Sequence, residues 1–176
     1  MSNNFPLLGE HKISSDWWTP RAIFTKIEET FETTNFYDPC PAYGQQSAIA
    51  GKIPSGLDLS KWGNESGCVY INPPSPASIW ADMAINYHQD TPDSSVIFAA
   101  YSEAVLYQCP RLKTYLTCWV RNRIAWDCPP PMLKSSPRNY NAFILLTNSP
   151  LIAHRFFDNF RDIGDIGYFQ RFSPIL

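Results

Sequence analysis

The sequence has no apolar run close to the roughly 18–20 residues that cross a bilayer, so no membrane-spanning helix is expected. Its opening, Met1-Ser-Asn-Asn-Phe-Pro-Leu-Leu-Gly-Glu, has neither the basic stretch nor the apolar core of a secretory signal. A cytoplasmic location is the expectation. Cys-x-x-Cys pairs are missing as well. Five cysteines, at 40, 68, 109, 118 and 128, fit neither a disulfide framework nor a zinc site. Reduced, mostly buried thiols are expected, and no metal. His11, His88 and His154 stand far apart and read as ordinary polar residues. Charged residues make up only 17%, against 44% hydrophobic, a balance that excludes a disordered chain. No repeat or low-complexity tract interrupts the 176 residues, enough for one domain and one sizeable core. The expected division is an arm over 1–15 and a single domain over 16–176.

Proline, in contrast, is abundant: 16 residues where the usual share is roughly 5%. Its placement is most informative after Val69-Tyr70-Ile71, a run of strand formers that stops in Asn72-Pro73-Pro74-Ser75-Pro76. Proline lacks an N–H and restricts the residue before it. A stiff loop is therefore expected at the carboxyl end of a buried strand, where open α/β sheets bind ligands. The Asn72 amide oxygen and the Pro73 carbonyl are two acceptors that can hold both hydrogens of one amino group. Held so, the amine directs its lone pair outward, which makes it a nucleophile. A plain turn after a strand accounts for the tripeptide equally well.

Periodicity supplies the surroundings. Thr19 is a good N-cap and Pro20 a good first helical residue. Ile23, Phe24, Ile27 and Phe31 then give one apolar stripe. A short strand over 34–37 enters Asp38-Pro39-Cys40-Pro41-Ala42-Tyr43-Gly44. Ile79, Trp80, Met83, Ala84 and Tyr87 make a second helical stripe. Strands are expected over 94–100, 115–120 and 141–147, and a short amphipathic helix over 154–160. This alternation describes an α/β sheet. The net charge of −2 hides a division: residues 1–109 carry 5 Lys/Arg against 12 Asp/Glu, and residues 110–176 carry 9 against 4. The basic half is a face for DNA or a solvated surface; the two readings stand level.

In chain order, Trp18-Thr19-Pro20 at a helix start, Asp38-Pro39-Cys40, Gly56-Leu57 followed by Trp62, Asn72-Pro73-Pro74, and Arg121-Asn-Arg123 with Trp126 resemble segments of phage-type N6-adenine DNA methyltransferases. The likeness spans residues 16–147. It implies a small Rossmann-like methyltransferase sheet with mixed strands, helices on both faces and a late antiparallel strand. It also implies S-adenosylmethionine as cofactor, adenine in DNA as substrate and, for a phage-encoded enzyme, the host cytoplasm. Trp18, Thr19, Pro20, Asp38, Pro39, Cys40 and Asp58 would then bind the cofactor, the helix start suiting its carboxylate. Asn72, Pro73, Pro74 and Ser75 would form the catalytic loop, with Arg121, Arg123 and Arg138 as phosphate contacts.

The sequence departs from the family pattern at three places. Only Gly44, displaced, remains of the glycines after Asp-Pro, and the stretch 45–67 is short for a helix and two strands. Ser75 stands where the family has Tyr, Phe or Trp, and serine cannot stack on a flipped base. Trp17, Trp18, Trp80 or Tyr101 could stand in for it. Two rivals stay open: a degenerate methyltransferase fold serving as a DNA- or protein-binding adaptor, and methylation of some other amine.

Overall fold

The computed structural model describes residues 18–42, 49–50, 57–62, 66–127 and 139–168, with 49, 50 and 61 in backbone only. The expected arm over 1–15, together with Trp17, Gly44, Gly56, Cys128 and Arg138, lies outside the described residues. Among the described residues seven strands are formed: β1 Tyr37–Asp38, β2 Ile49–Ala50, β3 Cys68–Ile71, β4 Ser95–Tyr101, β5 Leu116–Val120, β6 Asn141–Leu146 and β7 Gly164–Gly167. They join one sheet in the order β2-β1-β3-β4-β6-β5-β7. The strands β1 to β4 pair in parallel. β6 lies antiparallel between β4 and β5, and β7 closes the far edge antiparallel to β5.

Side-chain alternation fills both faces. Val69, Ile71, Val96, Phe98, Ile144 and Leu146 pack toward α2, Ala77–Asp90, against Trp80, Ala84 and Tyr87. Cys68, Tyr70, Ile97, Phe143 and Leu145 pack toward α1, Arg21–Phe31, and α3, Pro150–Phe160. Strands covered on both faces carry near-continuous apolar sequence, as β4 and β6 do. This is the mixed-strand, Rossmann-like α/β arrangement expected, with helices on both faces. Among the described residues no helix is long and apolar enough to cross a membrane.

Several local expectations are corrected. α1 begins at Arg21, with Pro20 in the cap position and no side-chain cap bond. Thr19 is not the cap, because its hydroxyl is drawn into the core beside Tyr70. The first strand is Tyr37–Asp38 rather than 34–37, because Phe36 turns into the aromatic cluster of Phe24 and Tyr70. Ile79 is exposed; the buried stripe of α2 runs through Trp80, Ala81, Ala84, Ile85, Tyr87 and His88. The last helix starts earlier, at Pro150, where Ser149 accepts a hydrogen bond from the Ile152 N–H at 3.3 Å. β7 was not expected at all: Gly-Asp-Ile-Gly has the composition of a turn.

Gly164 shows why that strand holds glycine. A Cβ there would lie 2.6 Å from the Trp119 carbonyl oxygen and closer still to the Cys118 sulfur. Gly164→Ala should therefore destabilise the fold by about 1–3 kcal/mol, the usual cost of overpacking. An unchanged denaturation midpoint would contradict the close packing of β5 on β7.

His88 is buried, with its Nδ1 3.2 Å from the Ser94 carbonyl. A carbonyl only accepts, so Nδ1 carries a proton. Burial, opposed by that hydrogen bond, holds its pKa below the ordinary value. The unfolded chain therefore binds the proton more readily than the folded one. Stability should be full above about pH 6.5 and fall as the pH drops below it. Thermal melts between about pH 7 and pH 5 should decline less steeply in His88→Phe than in the parent; equal slopes would exclude the imidazole as the source.

Candidate functional site

Parallel β1 and β3 are neighbours, so their carboxyl ends open onto the same edge. Asp38 ends β1 and is buried. Its Oδ1 accepts a hydrogen bond from the Cys40 N–H at 3.0 Å, closing an Asx-type turn at Pro39. The Cys40 thiol then donates to the Asn72 carbonyl at 3.4 Å. This weak bond ties the Asp38-Pro39-Cys40 turn directly to the Asn-Pro-Pro loop. Asn72 and Pro73 are half-buried, while Pro74, Ser75 and Pro76 are exposed. The Ser75–Pro76 peptide is cis, and Pro76 holds the N-cap position of α2.

The start of α1 reaches this edge through Thr19, whose hydroxyl lies 2.9 Å from the Tyr70 hydroxyl in the core. Burial drives the Tyr70 phenol pKa far up, with Asp38 and Cys40 adding to the effect and the Thr19 bond opposing it. Tyr37 is raised by burial, then by Asp38, Asp58 and Cys40. Asp58 thus lies within electrostatic reach of β1. Locally it caps the short 3₁₀ turn Leu59–Lys61, its Oδ1 accepting from the Ser60 N–H at 3.0 Å and hydroxyl at 2.6 Å. The Pro20 carbonyl accepts from the Ile23 and Phe24 N–H groups at 2.9 and 3.1 Å, and no acidic side chain occupies the first turn of α1. Thr19, Asp38, Cys40 and Asn72 are therefore brought together, with Pro20, Pro39 and Pro73 as their chain neighbours.

Of the remaining expected residues, Trp18, Arg121 and Arg123 are among the described ones. Trp18 is held by an antiparallel bridge to Asp127, with N–H to carbonyl distances of 2.8 and 3.0 Å. The Arg121 guanidinium bonds Asp165 at 2.8 Å and the carbonyls of Arg161 and Asp162 at 3.1 and 3.0 Å, fixing the turn between α3 and β7. Arg123 lies over the Tyr140 ring, 5.1 Å from its centroid. Other cations of the basic half pair with acidic residues of the acidic half: Arg111 with Asp82 and Arg155 with Glu32. Trp80 is buried in the α2-side core and cannot replace the aromatic missing at Ser75. Tyr101, at the carboxyl end of β4, is exposed. Asn141 was overlooked by sequence reasoning. It is buried at the start of β6, and its Oδ1 accepts from the Trp126 indole N–H at 3.3 Å. Its only signal in the sequence is one polar residue heading an apolar run.

Among the described residues no group of three or more His, Cys, Asp or Glu could hold a metal ion. No family model matches the chain, and no curated protein or solved structure matches it.

Cys40, Cys68, Cys109 and Cys118 are free and buried, as expected of reduced thiols. Burial raises the pKa of each; for Cys118 it reaches about 12. The thiolate is the nucleophile, so these four should resist disulfide reagents at neutral pH. Thiol titration of the native protein should find no more than one of the five cysteines reactive, and all five after denaturation. Rapid native reaction at Cys40 would contradict its placement between the two loops.

Proposed function

We propose that the chain is an S-adenosylmethionine-dependent methyltransferase acting on the exocyclic N6 amino group of adenine in DNA. One observation carries this reading. Asp38-Pro39-Cys40 and Asn72-Pro73-Pro74, the two segments with the most chemistry in the resemblance, are held together by the Cys40–Asn72 bond at 3.4 Å. They lie at the carboxyl edge of a Rossmann-like sheet, where such sheets bind ligands. The donor set also fits the amino-acid end of the cofactor. A helix start with no acidic side chain suits its carboxylate, and the buried Asp38 carboxylate suits its ammonium group. Trp18, Thr19, Pro20, Pro39, Cys40 and Asp58 border that position.

The bound cofactor supplies the methyl group; the chain supplies position. Asn72 Oδ1 and the Pro73 carbonyl accept the two amino hydrogens of the adenine and turn its lone pair outward. Holding the reacting atoms in line carries most of the catalysis, and the acceptors offset the positive charge growing on nitrogen. The adenine leaves the duplex to reach them, at a cost of a few kcal/mol. Arg121, Arg123 and Arg138 contact the phosphate backbone. Arg121 does so only by leaving Asp165. The reaction belongs in the cytoplasm.

A second reading rests on Ser75: without the usual aromatic, the fold would bind DNA or a protein without methylating. Transfer of tritiated methyl from S-adenosylmethionine to unmethylated DNA separates the two. The parent should label DNA, and Asn72→Ala should cut labelling by about 100-fold or more while keeping the cofactor bound. DNA binding with no labelling by the parent would favour the adaptor.

A further inference from the structure

Tyr101 and Asn141 are direct partners across β4 and β6. Directly opposed residues of an antiparallel pair project to the same face, with Cβ atoms about 5 Å apart. That face is the α1 side. Ile97 and Ala99 precede Tyr101 on it, and Phe143 and Leu145 follow Asn141. Both residues sit at the edge where Ile71 gives way to Asn72, since β3 pairs in parallel with β4 and Ile71 faces Phe98, three residues before Tyr101. β4 is buried from Ser95 to Ala100 and opens only at Tyr101, a residue 45% exposed.

Asn141 adds an unusual polar group. The residue is 2% exposed, yet among the described residues its side chain makes a single hydrogen bond, to Trp126. An indole N–H only donates, so the amide oxygen must face Trp126. The amide NH2 is thereby turned away from Trp126 and has no partner among the described residues. A buried donor left unmade costs free energy, which an incoming acceptor recovers.

We propose that Tyr101 and Asn141 form the base-holding half of the site: the Tyr101 ring stacks on the target adenine in place of the missing aromatic at 75, and the Asn141 NH2 donates to one of its ring nitrogens. The inference rests on the methyltransferase reading for the identity of the base. It assigns Asn72 and Pro73 to the amino group, and Tyr101 and Asn141 to the ring. Neither is a catalytic residue in the sense of touching the departing methyl; both position the base.

The test is fluorescence anisotropy with a short oligodeoxyadenylate and an abasic oligonucleotide of equal length, with methyl transfer followed in parallel. The parent should bind the adenine oligonucleotide about tenfold or more tightly than the abasic one. Tyr101→Phe should keep that preference and Tyr101→Ala should erase it. Asn141→Leu should reduce it severalfold, with thermal melts confirming the fold; the exposed Tyr101 gives a second variant that does not depend on core repacking. A parent without preference, or a preference unchanged in both Tyr101→Ala and Asn141→Leu, overturns the pocket. If the variants lose the preference but the parent transfers no methyl, the pocket stands and the methyltransferase reading falls. If the parent transfers methyl and both variants keep the preference, the pocket falls alone.

Discussion

The parallel pairing of β1, β3 and β4 is the constraint on which the candidate site depends, because strands that run together also end together. Asp38, Asn72 and Tyr101 are far apart in the chain, yet each is at or just past the last residue of its strand. Nothing in the turns themselves would bring them to one edge. The parallel order in turn requires covered faces, since each connection must return the chain across the sheet. α2 makes that return between β3 and β4, and its buried Trp80, Ala84 and Tyr87 seal the face it crosses. The core that stabilises the sheet and the geometry that gathers the site are thus one arrangement.

The other half of the sheet works by opposed strands. β6 enters antiparallel between β4 and β5, bringing Asn141 to the edge occupied by the ends of the parallel strands. The same insertion lets β7 close the edge against β5, where Gly164 permits the approach. On the α1 face, Lys26 holds Asp162 and the Asn159 carbonyl, each at 2.7 Å, so α1 is anchored to the turn that follows α3. Exposed pairs of this kind contribute little each. Their use here is positional, because the start of α1 carries Thr19 to Tyr70 and so to the site.

Strands and helices with strong apolar patterns were legible in the sequence. β3, β4, β5 and β6 fall within a residue or two of their expected spans, since Val, Ile, Phe and Leu runs covered on both faces need no tertiary information to be recognised. What was not legible depended on contacts between distant residues. β7 is a strand because β5 offers it an edge, not because Gly-Asp-Ile-Gly favours one. Thr19 looks like a cap until Tyr70, 51 positions away, claims its hydroxyl. Ile79 fits a helical stripe as well as Ala81 or Ile85 does, and only the direction of the sheet decides which side is buried. For the candidate site, Asn72 and Asp38 were legible through the resemblance and through proline's effect on the chain. Asn141 was not, because its interest lies in the bond that Trp126 makes to it, the one its side chain has among the described residues.

The central claim is that Asp38 and the start of α1 form a cofactor site beside Asn72. Calorimetric titration with S-adenosylmethionine tests it most directly. Saturable binding of one molecule per chain is expected in the parent, and its loss in Asp38→Ala with the fold intact. Binding that is absent in the parent, or unchanged when Asp38 is removed, would contradict it.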